Sequence, residues 1–316
     1  MFQIGDADID HAYWGSPESI GDWMERPTWT VHCGNPGSDI AADFASGMAS
    51  ASLLLKDDDP EFSASLLDHA KQLLEFAQNC RGLYSDVVAN GNTYTSSDDR
   101  DELTFAAAWL YRASGEQQYL DKARQWYDEF YIQWEGSKLN WDDKRLGVQA
   151  LMAELTGEDK YRGDLETTLN NILDNSQYSP KGQLFLDKWG SLRHSSNVAA
   201  MATIATKLGI NPGKFKAAAE QQIGYILGDT GRSFVVGYGT NPPTHVHHRG
   251  ASCTGGYCCD PSCGDPNPNI ITGALAGGPA APDDHYHDDR ADYVMNEVAL
   301  DYNAGFQMAI AGLNSM

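Results

Sequence analysis

An all-α fold of stacked helical hairpins is predicted by three features of this 316-residue sequence. Apolar residues recur at helical spacing as far as residue 228. Two junctions echo each other at an offset of 42 residues, Tyr111-Arg-Ala-Ser-Gly-Glu-Gln-Gln-Tyr119 and Ala153-Glu-Leu-Thr-Gly-Glu-Asp-Lys-Tyr161. Each places a glycine where a helix must stop, then an acidic or polar start to the next, then a tyrosine to pack. Third, little reads as strand. An open solenoid and a closed α/α toroid both satisfy such an array. The long loops favour the toroid, because solenoid repeats are more uniform in length.

In chain order, Ser38 reads as an N-cap, with Asp39 in the first turn of a helix over 40–56. Pro60 opens a second helix that runs to residue 79. Asp101 and Glu102 start a third, through Trp109 to residue 113, and Gly115 ends it. Further helices fall at 117–131, 143–156, 160–174, 194–208 and 213–227, with a last one at 301–313, about nine in all. Short extended pieces are expected at 184–187 and 233–238. The stretch 239–292 is rich in Gly, Pro, Asp and His and has no period. A loop of that length, with so many aromatics and histidines, is expected to be ordered and functional.

Hydrophobic content of 41% and charged content of 21% are those of a globular protein. A net charge of −22 argues against nucleic acid or an anionic membrane as partner. No run of about 18 apolar residues is present to span a bilayer. The cysteines are Cys33, Cys80, Cys253, Cys258, Cys259 and Cys263. The last four are spaced C-x4-C-C-x3-C, unlike the paired C-x2-C of zinc knuckles. Disulfides stapling a long loop are therefore favoured over zinc, and with them an oxidising compartment. The N-terminus, Met-Phe-Gln-Ile-Gly-Asp-Ala-Asp, lacks a basic region before an apolar stretch and does not read as a secretory signal.

Two polar constellations stand out in the non-periodic C-terminal part. One runs from Ser233 to Arg249 and holds His245, His247, His248 and Arg249. The other runs from Tyr286 to Ala304 and holds Asp288, Asp289, Arg290, Asp292 and Glu297. Crowded carboxylates raise one another's pKa, and a carboxyl kept protonated can serve as the general acid of glycoside hydrolysis. Arg249 and Arg290 would hold other carboxylates ionised, which separates acid from base roles. A solvated acidic loop is the bland alternative, and Tyr286, Tyr293 and Tyr302 weigh against it. His245, His247, His248, His285 and His287 with nearby aspartates also admit a metal cluster. Neutral histidine and arginine equally suit sugar hydroxyls, and the residues alone leave these readings open.

The constellations resemble the paired signatures of glycoside hydrolase family 9, the inverting cellulases, and most closely the animal-type endoglucanases. His247 and Arg249 fit the family's H-x-R element. Tyr286, Asp288, Tyr293, Glu297, Ala299, Asn303 and Ala304 fill every fixed position of its second signature. The resemblance extends upstream through Asp10-His-Ala-Tyr-Trp-Gly-Ser-Pro-Glu18, Gly37-Ser-Asp, Asp101-Glu-Leu, Trp141-Asp-Asp-Lys and Asp187-Lys-Trp-Gly-Ser-Leu-Arg193. It implies one catalytic domain over residues 1–316, a twelve-helix α/α toroid, β-1,4-glucan as partner and substrate, and secretion.

By that resemblance Glu297 is the general acid, and His247, Arg249 and Asp288 line and polarise the catalytic subsites. Tyr302, Trp189, Arg193, His11 and Trp14 line the glucan cleft, where flat rings suit the apolar faces of glucose. Core packing is the alternative for Trp14 and Trp189. No cofactor is required. A structural calcium held by Asp101, Glu102 and Asp142 suits hard carboxylates, while helix capping accounts for Asp101 and Glu102 as well. Inversion also needs a base carboxylate, which the family takes from a D-A-G-D motif. No such motif occurs here, and Gly5-Asp-Ala-Asp-Ile-Asp10 aligns with a different family segment. The sequence thus reads as an endoglucanase domain truncated at its N-terminus, with about nine of twelve helices and without its base. The alternatives are a glucan-binding protein without turnover and a metal-binding scaffold.

Overall fold

The computed structural model describes residues 2–87, 94–134, 138–254 and 259–316. Among these residues lie thirteen α-helical segments, nine of them twelve residues or longer. The nine match the helices read from periodicity to within three residues at each end, so the all-α prediction holds. The other four are single or double turns at 7–12, 84–87, 249–252 and 293–296. The chain divides into two compact units, one of residues 1–10 and 25–168, the other of residues 11–24 and 169–316.

In the first unit, β1 (Phe2–Ile4) pairs antiparallel with β2 (Thr28–Thr30), a ribbon that the sequence pattern does not predict. After the short α1 (Ala7–Ala12) come α2 (Ser38–Leu55), α3 (Pro60–Asn79), α4 (Tyr84–Val87), α5 (Arg100–Ser114), α6 (Gln117–Glu129), α7 (Arg145–Thr156) and α8 (Asp159–Asn175), with α1 and α8 each ending in residues of the second unit. Helix α5 is the hub, packing on α2, α3, α6 and α7. Ala41, Ala42, Ala45 and Ala49 of α2 and Ala106, Ala107 and Ala108 of α5 are wholly buried, and such small side chains let helix backbones approach closely. Gly115 and Gly157 both close their helices in the left-handed conformation (φ 71° and 68°), as the echoed junctions predict.

Ser38 departs from its expected role. Helix α2 begins at Ser38 itself, with Gly37 as the cap residue. The Ser38 hydroxyl accepts the Gly82 N–H at 3.0 Å and donates to Asp99. A tertiary bridge has displaced the local cap. Asp59, by contrast, caps α3 by accepting the Phe62 N–H at 3.0 Å, with Pro60 in the first turn. A disulfide joins Cys33 to Cys80, the residue that ends α3.

One face of α2 is apolar without being covered. Phe44 is 52% and Leu54 81% exposed, and Phe44, Gly47, Met48, Ala51 and Leu66 line a shallow groove there. A helix that is apolar on all sides ordinarily sits inside a core.

The second unit holds the hairpin β3 (Gln177–Tyr178) and β4 (Leu184–Phe185), then α9 (Ser191–Lys207), α10 (Pro212–Leu227), α11 (Arg249–Ser252), α12 (Tyr293–Asn296) and α13 (Leu300–Asn314). Helices α9, α10 and α13 pack against one another. The extended piece expected at 233–238 is present as a single bridge, Val235 to Leu275. Val236, Val246 and Ala276 form a small core beneath the loops, with Ile271, Tyr286 and Val298 against it. Cys253 and Cys259 are joined by a disulfide, and Cys258 lies outside the described residues. No helix among the described residues is long and apolar enough to cross a membrane.

The Cys33–Cys80 bridge spans 47 residues of sequence, so the chain-entropy relation puts its contribution at about 4 kcal/mol. Replacing both by serine lowers the urea midpoint of unfolding correspondingly. An unchanged midpoint would show that this bridge does not constrain the unfolded chain.

Candidate active site

The site forms around residues 294–297, whose four successive carbonyls each accept a hydrogen bond from another segment. Val294 O accepts from Gly190 N at 3.4 Å, Met295 O from Gly278 N at 2.9 Å, Asn296 O from His247 N at 2.8 Å and Glu297 O from Gly277 N at 3.0 Å. Asp292 caps α12 by accepting the Met295 N–H. Asn296 is fully buried. Its amide donates to His287 O at 2.8 Å, and its side-chain oxygen accepts from Tyr286 OH at 2.5 Å. Glu297 therefore leaves the end of α12 from a fixed backbone.

The Glu297 side chain is held as firmly. Trp189 Nε1–H donates to Oε2 at 2.8 Å and Tyr302 OH donates to the same oxygen at 3.1 Å. Tyr302 is buried in the first turns of α13. Burial, and then the Glu297 charge, push its pKa upward, which keeps it a donor. Arg193 lies over the Tyr302 ring at 4.9 Å, pairs with Asp301 at 2.9 Å and donates to Trp189 O at 3.3 Å. Gly190 sits beneath, at φ +61°, where a Cβ would come 2.6 Å from Tyr302 Cζ. Trp189 is 41% exposed and Tyr293 is tilted against it at 5.0 Å. Trp189 is thus not a core residue.

The first constellation supplies the opposite wall. His247 meets Trp14 edge-on at 4.8 Å and Tyr293 at 5.8 Å. Its Nδ1 lies 2.7 Å from Arg290 O. Because a carbonyl only accepts, Nδ1 carries the proton and Nε2 is an acceptor. Burial lowers the His247 pKa and favours this neutral form. Arg249 lies over the Trp14 ring at 5.5 Å and donates to His11 O at 3.3 Å. Among the described residues Trp14 Nε1 and Arg249 Nε are buried without a hydrogen-bond partner.

Asp288 has a different place from the one its motif position suggests. Its carboxylate accepts from Thr244 N and Oγ1, both at 2.8 Å, from His245 N at 3.0 Å and from His245 Nδ1 at 3.3 Å. Burial opposes ionisation, but these bonds outweigh it and hold the carboxyl below its ordinary range. Asp288 anchors the approach to His247.

The carboxylates crowded in sequence do not crowd in space as expected. Asp283, Asp289 and Asp292 each take a nearby backbone N–H, and Asp284 takes Lys181 N and Tyr225 OH. Among the described residues no three His, Cys, Asp or Glu side chains gather closely enough to hold a metal ion.

Asp101, Glu102 and Asp142 lie in the first unit. Asp101 accepts from Lys144 N at 2.5 Å, Glu102 Oε1 meets Lys144 Nζ at 3.2 Å, and Asp142 takes Ser97 N and Oγ. Burial pushes Asp101 up to about 6 and Glu102 well above its ordinary value. As placed, these side chains do not form a calcium cage. The Lys144 ammonium supplies positive charge there instead.

Sequence reasoning missed Asn296 and Gly190 as parts of the site. The signal was present in the Asn-Glu pair and in a glycine just before a helix, but nothing local says what either one touches.

The sequence pattern of glycosyl hydrolase family 9 matches residues 1–310. Endoglucanase B of Cellulomonas fimi is 40% identical over 98% of this chain and 31% of its own length. An endoglucanase structure from the termite Nasutitermes takasagoensis superposes with a TM-score of 0.94 at 47% identity, covering 98% of this chain and 72% of that one. Endoglucanase CelQ of Clostridium thermocellum, solved in complex with cellotetraose, superposes at 0.86 with 35% identity over 99% of this chain and 53% of its own. The chain spans 31%, 49% and 50% of the first three curated relatives it matches.

Two outcomes follow from this geometry. Gly190→Ala meets both the left-handed backbone and the Tyr302 ring, and costs about 1–2 kcal/mol or more in thermal unfolding. His247 and His248 are both held below the free imidazole value of 6.5, chiefly by burial. The unfolded chain therefore takes up these protons first, and stability falls as pH drops from 6.5 toward the folded values. The double variant His247→Gln/His248→Gln flattens that acid-side decline in Tm; an equal slope in parent and variant would exclude these two histidines as its source.

Proposed function

Because the chain belongs to glycosyl hydrolase family 9, we propose that the protein hydrolyses internal β-1,4-glucosidic bonds of cellulose with inversion, with Glu297 as the general acid. The observation that carries this reading is the double hydrogen bond on Glu297 Oε2. With Oε2 occupied by Trp189 and Tyr302, Oε1 is left to carry the proton. In the reaction that proton passes to the glycosidic oxygen as its bond to the anomeric carbon breaks. A water oxygen, deprotonated by a second carboxylate, bonds to the opposite face of that carbon.

The surrounding groups suit a glucan. The rings of Trp189 and Tyr293 offer flat apolar faces to glucose. His247 Nε2 accepts from a hydroxyl, and the Arg249 guanidinium beside it carries further donors. Arg193 acts by holding Tyr302, and Asp288 by holding residues 244–245. The two disulfides support a secreted protein.

The base is the other half of the chemistry. In an inverting enzyme it stands roughly 6.5–9.5 Å from the acid, and in this family it belongs to a D-A-G-D motif that these 316 residues do not contain. The same observation favours a second reading, a glucan-binding protein without turnover.

We expect the 316-residue chain to bind cellotetraose by calorimetry and to release reducing sugar from carboxymethylcellulose at a rate near background. Robust turnover would overturn the absence of a base, and no affinity for cellotetraose would sink the glucan cleft altogether. In any longer form that does turn over, Glu297→Gln lowers kcat by about 10²–10⁴-fold with little change in binding.

A further inference from the structure

Arg290 is the largest fully buried side chain among the described residues, 1% exposed, and the chemistry above does not use it. Among the described residues its guanidinium hydrogen-bonds only to neutral groups, with the Asp260 carboxylate near enough to feel its charge. Nε–H donates to Asn267 Oδ1 at 2.7 Å and one terminal nitrogen to Asp265 O at 2.7 Å. The other terminal nitrogen reaches Cys263 O at 3.2 Å and Asp260 O at 3.3 Å. A guanidinium stays charged in proteins, and burying a charge costs several kcal/mol unless it is well satisfied. If residue 290 served only to fill space, an aliphatic side chain would do so without that cost.

The bonds made by Arg290 and its neighbours close a circuit. Arg290 O accepts the Nδ1–H of His247, Arg290 Nε–H donates to Asn267 Oδ1, and Asn267 Nδ2–H donates to Val246 O at 2.9 Å, the residue before His247. Asn267 N–H also donates to Thr244 O at 2.8 Å. The 260–267 loop, the 244–247 segment and residue 290 are thus tied into a single ring of contacts around the His247 imidazole.

We propose that Arg290 is a positioning residue for His247: its guanidinium pins the 260–267 loop to the residue-290 backbone, and the carbonyl so fixed holds the His247 proton on Nδ1. Nε2 is thereby kept as a bare acceptor. An imidazole free in water favours the opposite, Nε2–H form, so the protein must impose the tautomer. This role matters for catalysis only through the glucan-cleft reading above, but it can be read without any glucan.

The test is the tautomer itself. In the 316-residue chain labelled with 15N-histidine, long-range proton–nitrogen correlations report which ring nitrogen is protonated, and loss of signals in His247→Gln assigns the residue. The parent shows His247 as a single Nδ1–H form. Arg290→Met, which keeps much of the volume and removes the charge, shifts it to a mixture containing Nε2–H. Arg290→Lys does not restore the parent spectrum, because one ammonium cannot span four acceptors. Should Arg290→Met fail to fold, Asn267→Ala opens the same circuit at its other corner and shifts the tautomer in the same direction. A parent already in the Nε2–H form, or folded variants that keep His247 purely Nδ1–H, would overturn the proposal. Failure of the parent to bind cellotetraose would count against the proposed function and leave the tautomer result standing.

Discussion

Everything in the candidate site hangs on the carbonyls of residues 294–297. Four successive backbone oxygens are taken by N–H groups at 190, 278, 247 and 277. A backbone so bound has little freedom to drift, and net stabilisation of about 1 kcal/mol per bond adds up. The consequence is positional more than energetic. Gly190 brings Trp189 and Arg193, His247 brings Trp14 and Arg249, and 277–278 brings the loop that packs under α13. One short strip thereby registers segments that are more than a hundred residues apart in sequence. An acid catalyst gains from this, since proton transfer requires heavy-atom separations of about 2.6–3.2 Å.

The helices were legible in the sequence because each carries its own period. Helix α2 declares its length through apolar spacing, and Pro60 to Asn79 through spacing, the Asp59 cap and proline, all of them local signals. Residues 239–292 carry no period, because their backbone groups are satisfied by distant partners, as when Val236 N donates to Ala274 O at 2.9 Å. Motif residues escape this difficulty by their order along the chain, which is how Glu297, His247 and Arg249 were singled out. Asn296 was not assigned a role and Arg290 was expected to hold carboxylates ionised, whereas its hydrogen bonds go to an amide oxygen and backbone carbonyls; a buried amide and a buried guanidinium look like solvated residues until their acceptors are known. The β1–β2 ribbon was missed for the same reason: three residues per strand are too few to establish alternation.

The acidic character of the chain has two physical forms. At 289 and 292 the carboxylates accept nearby N–H groups and shape turns, while Asp288 accepts from the distant Thr244 and His245, which answers the expectation of mutual repulsion among them. Around α5 they are buried instead, and Asp101 and Glu102 are pushed toward their protonated forms. Composition alone reports both as negative charge. Only the placement of Lys144, between Asp43 and Glu102, shows that part of this charge is balanced inside the fold.

The apolar residues exposed on α2 and the net charge of the chain act in opposite senses on an approaching molecule. A net charge of −22 keeps molecules apart while the ionic atmosphere is thin. Salt shortens that repulsion to a Debye length of about 8 Å at physiological strength. The ridge carrying Phe44 and Leu54 is then free to meet apolar surface on a neighbour. Ionic strength, which leaves the folded interior almost untouched, thus sets the range of that repulsion.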